Sequence, residues 1–327
     1  MLPKELLSTL TMLFKQENRN TVLMITGAPG LGKTAIVGQA AEAARKELIT
    51  FALPTCESVD LRGLPETKNG QTKWASPLPR DGRGVVLLDE LASAAPDVQV
   101  AAHHLVRAEP GSDMSLPIGW HIVLTGNRAQ DKTLYRAVSA PLRNRMTLVN
   151  LEPDAKQWCQ WAMDNSIAPV VIAFMRFRSE LLTAKEMPAE GAFPSPRAWE
   201  SVSSLLSLSV HASIERELVA GTIGEGPTTE FMAFLRTSRE LPSIEAILAN
   251  PKKASVPKSP AVLYALATAL SSYTRSNDVG AMEYVSRMPA EFALLYVTDV
   301  RDRYDINKDM HIRKWVSEHV KLFEKES

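Results

Sequence analysis

The sequence predicts an α/β fold: a doubly wound parallel sheet carrying a phosphate-binding loop, followed by an all-helical part. Three observations predict it. Between Thr21 and about Asn150, short apolar runs alternate with helical stretches, the pattern of parallel strands joined by helices. One of those runs, Val85-Val86-Leu87-Leu88, is continuously apolar, as suits a strand covered on both faces. After Asn150 the strand signal fades and helical patterning takes over.

Taken in order, the predicted strands are Val22–Ile25, Leu48–Leu53, Val85–Leu88, Ile122–Leu124 and Thr147–Val149. The alanine-rich stretch Thr34–Lys46 and the stretch from Pro96 to Arg107 predict helices between them. Residues Leu61 to Arg83 break the alternation. They hold Gly63, Pro65, Gly70, Pro77, Pro79 and Gly82, too long and too punctuated for a plain connection. A short hairpin insert with its turn near Lys68-Asn69-Gly70 is the simplest account. Beyond Asn150, Trp158–Met163, Val170–Leu182, Arg197–His211 and Ile214–Ala220 predict helices, and Gly221–Gly226 a loop. Pro251 to Pro260, with three prolines and three lysines, predicts a linker. The expected organisation is an α/β nucleotide-binding domain over 1–150 with its insert at about 61–83, a helical lid over 151–250, and a helical C-terminal extension over 251–327.

Composition narrows the function classes. The 327 residues are 45% hydrophobic, enough for about two domains with real cores. Thirty-seven basic residues balance 37 acidic ones. That leans against a protein built to coat nucleic acid, while leaving room for a local basic strip. The two cysteines, Cys56 and Cys159, lack CxxC spacing; they read as small core residues in a reduced cytoplasm. Met1-Leu2-Pro3-Lys4-Glu5 has no signal-peptide shape. No apolar stretch approaches the ~20 residues that span a bilayer, so no membrane partner is expected.

The chemistry begins at Gly27-Ala28-Pro29-Gly30-Leu31-Gly32-Lys33-Thr34, a full GxxxxGK[ST] match lying between a predicted strand and the helix that continues through Ala35. Glycines let backbone N–H groups face phosphates without a side chain in the way, and the helix N-terminus adds positive potential. Lys33 suits the β- and γ-phosphates of ATP, and the Thr34 hydroxyl suits Mg2+. Fifty-odd residues on, the strand Val85–Leu88 delivers Asp89 and Glu90 to its C-terminal edge, where ligands bind in open α/β sheets. Asp89 suits the Mg2+ shell, and Glu90 suits orienting or deprotonating a water. A third strand, in His121–Leu124, runs through Thr125-Gly126 to Asn127, whose amide suits the γ-phosphate or the attacking water. Arg143 and Arg145 stand just before the last strand, where a guanidinium offered to a neighbouring subunit would stabilise transition-state charge. Ser195 as N-cap and Pro196 at the first helical position start a helix firmly, and Arg197 projects from its first turn.

The order GAPGLGKT, VVLLDE, LTGN, LRNRM and SPRAW resembles AAA+ ATPases, and within them the MoxR-like branch of the dynein-related subfamily, with similarity to phage and prophage ATPases. The resemblance covers most of residues 1–250. It implies that Lys33 and Thr34 bind phosphate and Mg2+, Asp89 holds Mg2+ and Glu90 is the catalytic base. It further implies that Asn127 is a first sensor, Arg145 an arginine finger and Arg197 a second sensor. Met146 stands where the family usually has an aromatic, and Arg143 lies close enough to compete for the finger role. Asp60-Leu61-Arg62-Gly63, the hairpin and Leu78-Pro79-Arg80 resemble the insert this branch carries. The resemblance implies a homo-oligomeric ring, commonly a hexamer, beside a protein client such as a von Willebrand factor A domain protein. The expected function is therefore Mg2+-dependent ATP hydrolysis that remodels a protein. A nucleic-acid motor or loader is the alternative, and a poorly hydrolysing switch is disfavoured by Glu90. Adjacent His103 and His104 point about 100° apart on a helix, against metal ligation. Trp158 and Trp161 read as lid core, and Arg176, Arg178 and Lys185 as a solvated face.

Overall fold

In a computed structural model of the chain, the described residues are 1–17, 21–68, 71–108, 112, 114–131, 135–208, 210–241, 243–273, 279–303 and 310–318. The chain divides into two compact units. The first is Met1–Asp154 with Lys185–Ala189, and the second is Ala155–Ala184 with Glu190–Ser327.

The first unit opens with α1 (Pro3–Lys15), which the sequence reading passed over. Pro3 presets its first turn, and the Glu5 carboxylate accepts from the Leu2 N–H at 2.8 Å. Leu6, Leu10 and Phe14, spaced four apart, form its buried stripe. Then come β1 (Leu23–Thr26), α2 (Lys33–Ala43), β2 (Glu47–Ala52), α3 (Ser58–Arg62), the hairpin β3 (Leu64–Lys68) and β4 (Gln71–Ala75), β5 (Gly84–Asp89), α4 (Pro96–Arg107), β6 (His121–Gly126), α5 (Ala140–Arg143) and β7 (Thr147–Asn150). The expected hairpin is antiparallel, pairing Leu64 with Ala75 and Thr67 with Thr72; its tip at 69–70 lies outside the described residues. Arg62 stacks over the Trp74 ring at 4.9 Å and joins α3 to the hairpin.

Five strands form one sheet in the order β2-β5-β6-β1-β7, every pairing parallel. Alternate residues feed opposite cores. Val85 and Leu87 of β5 pack with Leu6, Leu10, Ile36 and Val37 of α1 and α2. Val86 and Leu88 pack on the other face with Val98, Ala102 and Leu105 of α4 and with Leu142 of α5. This is why the run is apolar at every position: both faces are covered, and each buried aliphatic side chain contributes about 1.5–3 kcal/mol. The phosphate-loop strand β1 sits inside the sheet, so the loop is fixed by neighbours on both sides.

The second unit is helical among its described residues: α6 (Ala155–Asp164), α7 (Pro169–Phe177), α8 (Pro196–Leu206), α9 (Ala212–Ile223), α10 (Glu225–Arg239), α11 (Ile244–Ala249), α12 (Pro260–Tyr273), α13 (Val279–Val285), α14 (Ala290–Arg303) and α15 (Met310–Glu318). Phe174, Trp199, Phe231 and Phe234 form an aromatic centre with ring centroids 5.1–5.5 Å apart. Trp158 and Trp161 belong to the same cluster. A second cluster joins α11 to α15, and α12 takes part in both, through Ala265 in one and Leu263 and Leu266 in the other.

Three expectations change here. The triple-glycine stretch is no open loop: Gly221 lies inside α9, Gly226 in the first turn of α10, and Gly224 alone, at φ 83°, separates the two helices. Two helical glycines cost about 1 kcal/mol each, less than the burial of Val219, Ile223 and Phe231 around them returns. The helix expected over Val170–Leu182 stops at Phe177, because Arg178 leaves helical geometry at φ −132°, ψ 61°. Arg176 is not on a solvated face. It is 9% exposed and paired with Asp299 at 2.6 Å, with Thr268 as a further partner at 2.9 Å.

Candidate functional site

The C-terminal ends of β1, β5 and β6 lie side by side, and Lys33, Thr34, Asp89, Glu90 and Asn127 meet there. Strand β1 ends at Thr26 and passes into Gly27–Gly32 before α2 begins at Lys33. Gly30 and Gly32 adopt φ 77° and 86°, the left-handed region that glycine enters without penalty. A Cβ on Gly32 would meet no protein atom within 4 Å. The loop thus leaves open space beside its backbone.

Lys33 is buried to 8% exposure, and its ammonium donates to Gly27 O at 2.8 Å, Ala28 O at 3.0 Å and Asn127 Oδ1 at 3.0 Å. The cation therefore sits inside the loop and touches the residue that ends β6. Leu31 is buried, while Ala28, Pro29 and Thr34 are half-buried and Ala35 is exposed. The Thr34 hydroxyl donates to Asp89 Oδ2 at 2.9 Å, bringing together the two oxygen groups assigned to a metal.

Glu90 follows at φ 60°, ψ 42°, uncommon for a non-glycine residue. The residue is exposed at the start of the turn that follows β5. Its backbone N–H is held by Thr125 Oγ1 at 3.1 Å, and the same hydroxyl donates to Asp89 Oδ1. The rest of the turn is braced. Gln99 Nε2 donates to Leu91 O at 3.2 Å. The Arg136 N–H donates to Ala92 O at 2.7 Å, and its Nη1 to Ser93 O and Ala94 O at 3.1 and 3.0 Å. Past Asn127, Asp131 is buried and accepts from the Arg128 N–H at 2.8 Å and its Nη2 at 2.8 Å. Thr125, Arg136 and this pair escaped the sequence reading. Their roles depend on which strands and loops are neighbours, and no spacing rule announces that.

Arg143 and Arg145 are both exposed and make no ion pair or hydrogen bond through their side chains among the described residues. Register fixes which end of the sheet they serve. Thr147 of β7 pairs with Leu23 at the start of β1, and Asn150 pairs with Thr26, just before the phosphate loop. Arg145 precedes Thr147, so it lies at the opposite edge from Lys33, at least about 10 Å away along the strand. Its charge reaches His103 on α4, whose pKa is held below the usual histidine value by burial first, then by His104, Arg145 and Arg107. The His103 and His104 rings lie 6.2 Å apart, and no cluster of three or more His, Cys, Asp or Glu groups able to hold a metal occurs among the described residues. Arg197 belongs to the second unit. Ser195 Oγ accepts from the Ala198 N–H at 3.2 Å and caps α8, leaving Arg197 exposed in the first turn. Arg178 pairs with Glu180 and Glu230, each at 2.7 Å, and Lys185 is exposed.

The residues fit Mg2+ and a nucleotide triphosphate. Mg2+ takes oxygen ligands and keeps several waters, so one or two protein groups suffice; the adjoining Thr34 hydroxyl and Asp89 carboxylate are such a set. The buried Lys33 ammonium, beside the Gly27 and Ala28 carbonyls and the Asn127 amide oxygen, lies at the mouth of a glycine cradle suited to an anion.

Residues 22–146 match the family model of the AAA domain, dynein-related subfamily. Among solved structures, the chain is similar to Thermotoga maritima RuvB, described as a Holliday junction branch migration motor. The identity is 16%, covering 82% of this chain and 80% of that one, with a TM-score of 0.40. It is also similar to NtrX from Brucella abortus, at 15% identity over 90% of this chain and 67% of that one, with a TM-score of 0.40. No curated protein matches it in sequence. The first unit is thus an AAA-type P-loop core on a parallel sheet, and the chain is an ATPase.

Proposed function

We propose that the chain is a MoxR-like AAA+ ATPase that works as a homo-oligomeric ring, a hexamer, and uses Mg2+-dependent hydrolysis to remodel a protein client. The observation that carries this reading is the continuous network from Lys33 through Asn127 and from Thr34 through Asp89 to Glu90. Lys33 binds the phosphates, Thr34 and Asp89 hold Mg2+, which neutralises phosphate charge, and Asn127 orients the terminal phosphate or the water. Glu90, exposed and at the end of a rigid turn, takes the proton of the attacking water.

Arg145 completes the site of the neighbouring subunit. Its exposure, its lack of a side-chain hydrogen bond or ion pair among the described residues, and its place before β7, at the far end from its own Lys33, support a finger given in trans. Arg197 acts as a second sensor from the helical lid over 151–250, with 251–327 as an extension. The balanced charge supports a protein client, with a von Willebrand factor A domain protein as the partner class that the resemblance implies. Two free thiols suit a cytoplasmic location.

Three measurements test the reading. Lys33→Ala abolishes ATP binding by calorimetry while the fold survives; near wild-type affinity in a folded variant overturns it. Glu90→Gln binds ATP and turns over at least ~100-fold more slowly; turnover within a factor of two makes Glu90 a bystander. Native mass gives a hexamer with ATP, and turnover stays flat with single-stranded DNA. Strong stimulation by that DNA would instead establish the nucleic-acid motor.

A further inference from the structure

Thr125 lies next to last in β6 and is fully buried. A hydroxyl has one proton to give and lone pairs to accept with, and Thr125 uses both on consecutive residues of β5 and its turn. It donates to Asp89 Oδ1 and accepts from the Glu90 N–H at 3.1 Å. The two acids of the Asp89-Glu90 pair are therefore fastened to a single oxygen atom. With Oδ1 engaged, the Asp89 carboxylate is held so that Oδ2 meets the Thr34 hydroxyl at 2.9 Å. With its N–H engaged, Glu90 is held in the left-handed conformation at φ 60°, ψ 42°. Asn127, two residues further along the same chain, touches Lys33. The end of β6 thus contacts both the phosphate-binding cation and the acids.

We propose that Thr125 is a positioning residue that sets the metal-binding carboxylate and the general base through one hydroxyl. The proposal rests on the roles assigned above to Asp89 and Glu90. Thr125 is fully buried, so replacing its hydroxyl by a methyl group leaves both bonds unmade. Groups that orient metal ligands from behind typically change metal affinity or activity about 10–100-fold when mutated.

The experiment compares Thr125→Val, which keeps the shape and removes both bonds, with Thr125→Ser, which keeps the oxygen. Thr125→Val is expected to lower kcat about 10–100-fold. It should also raise the Mg2+ concentration needed to tighten binding of a fluorescent ATP analogue, while binding of that analogue without Mg2+ stays within about twofold, since Lys33 and its loop are untouched. Thr125→Ser restores both kcat and the Mg2+ response. If Thr125→Val does not fold, Thr125→Ala against Thr125→Ser carries the same comparison. Wild-type kcat and Mg2+ response in the valine or alanine variant overturn the proposal. A serine variant as impaired as the valine variant also overturns it, because packing of the methyl group is then what matters. Failure of the site reading is separately visible: Glu90→Gln would then turn over normally in the wild-type Thr125 background.

Discussion

At the scale of single residues, Gly32 separates backbone strain from ligand contact. Its φ of 86° is unfavourable for any side chain, yet a Cβ there would touch no protein atom. The stability cost of Gly32→Ala is therefore only the left-handed conformation, about 1–2 kcal/mol. The ligand cost is separate, because the added methyl group enters the space beside the loop backbone that phosphates approach. Gly32→Ala is expected to melt a few degrees lower and to lose at least about tenfold in ATP affinity, equivalent to roughly 1.4 kcal/mol. Parallel melting curves and calorimetry check this; unchanged affinity would mean that the phosphates do not approach this backbone. Such residues were legible because their chemistry lies in local spacing: GxxxxGK[ST] is one turn of chain, and Asp89-Glu90 is one strand end. Thr125 was not legible, since a threonine in a strand ordinarily signals only β-propensity. Its meaning comes from the pairing of β6 with β5, where Leu124 stands opposite Leu88 and puts Thr125 level with Asp89.

At the scale of elements, the same distinction holds. The β5 run announced burial on both faces because every position is apolar. The α1 stripe, Leu6, Leu10 and Phe14, carried an equally plain helical period. Gly221 and Gly226 misled because loop propensity is a weak local bias and tertiary burial overrides it. Arg176 misled because a charged residue on an apolar helix suggests a wet face until its partner is known, and Asp299 lies 123 residues away. In the fold, Arg176 of α7 meets Asp299 of α14, which also accepts from Ser271 Oγ of α12 at 2.8 Å. Burial works against the guanidinium's charge, but the facing carboxylate more than offsets it and holds the group protonated. Removing one member of such a pair leaves an uncompensated buried charge, at about 3–5 kcal/mol. Asp299→Asn should therefore lower the melting temperature by roughly 6–20 °C, taking about 2–4 °C per kcal/mol for a unit of this size. Arg176→Met with Asp299→Leu should recover most of the loss. A single variant as stable as wild type would mean that the pair contributes no specific stabilisation to the α7, α12 and α14 packing.

At the scale of the whole molecule, the parallel register of β1 and β7 bears on whether one chain suffices for catalysis. The phosphate loop follows the C-terminal end of β1, whereas Arg145 precedes the N-terminal end of β7. These are opposite ends of one parallel strand pair, so an Arg145 acting at the proposed site would come from another copy. A finger supplied in trans is worth about 10³–10⁵ in rate in related phosphoryl-transfer systems. Specific activity should therefore rise steeply with protein concentration until assembly saturates. Arg145→Ala should bind ATP and lose hydrolysis, and Arg143→Ala should lose far less; the reverse result would exchange the two assignments. The decisive case is a mixture. Lys33→Ala subunits cannot bind nucleotide but still present Arg145, while Arg145→Ala subunits bind nucleotide but present no finger. Where an Arg145→Ala phosphate loop meets the Arg145 of a Lys33→Ala neighbour, one complete site exists, so mixing two inactive proteins should restore part of the wild-type rate, in proportion to that arrangement. Full activity in dilute monomer would remove the need for a partner's arginine. Mixed variants that co-assemble by native mass and remain inactive would show that the guanidinium is not donated between subunits.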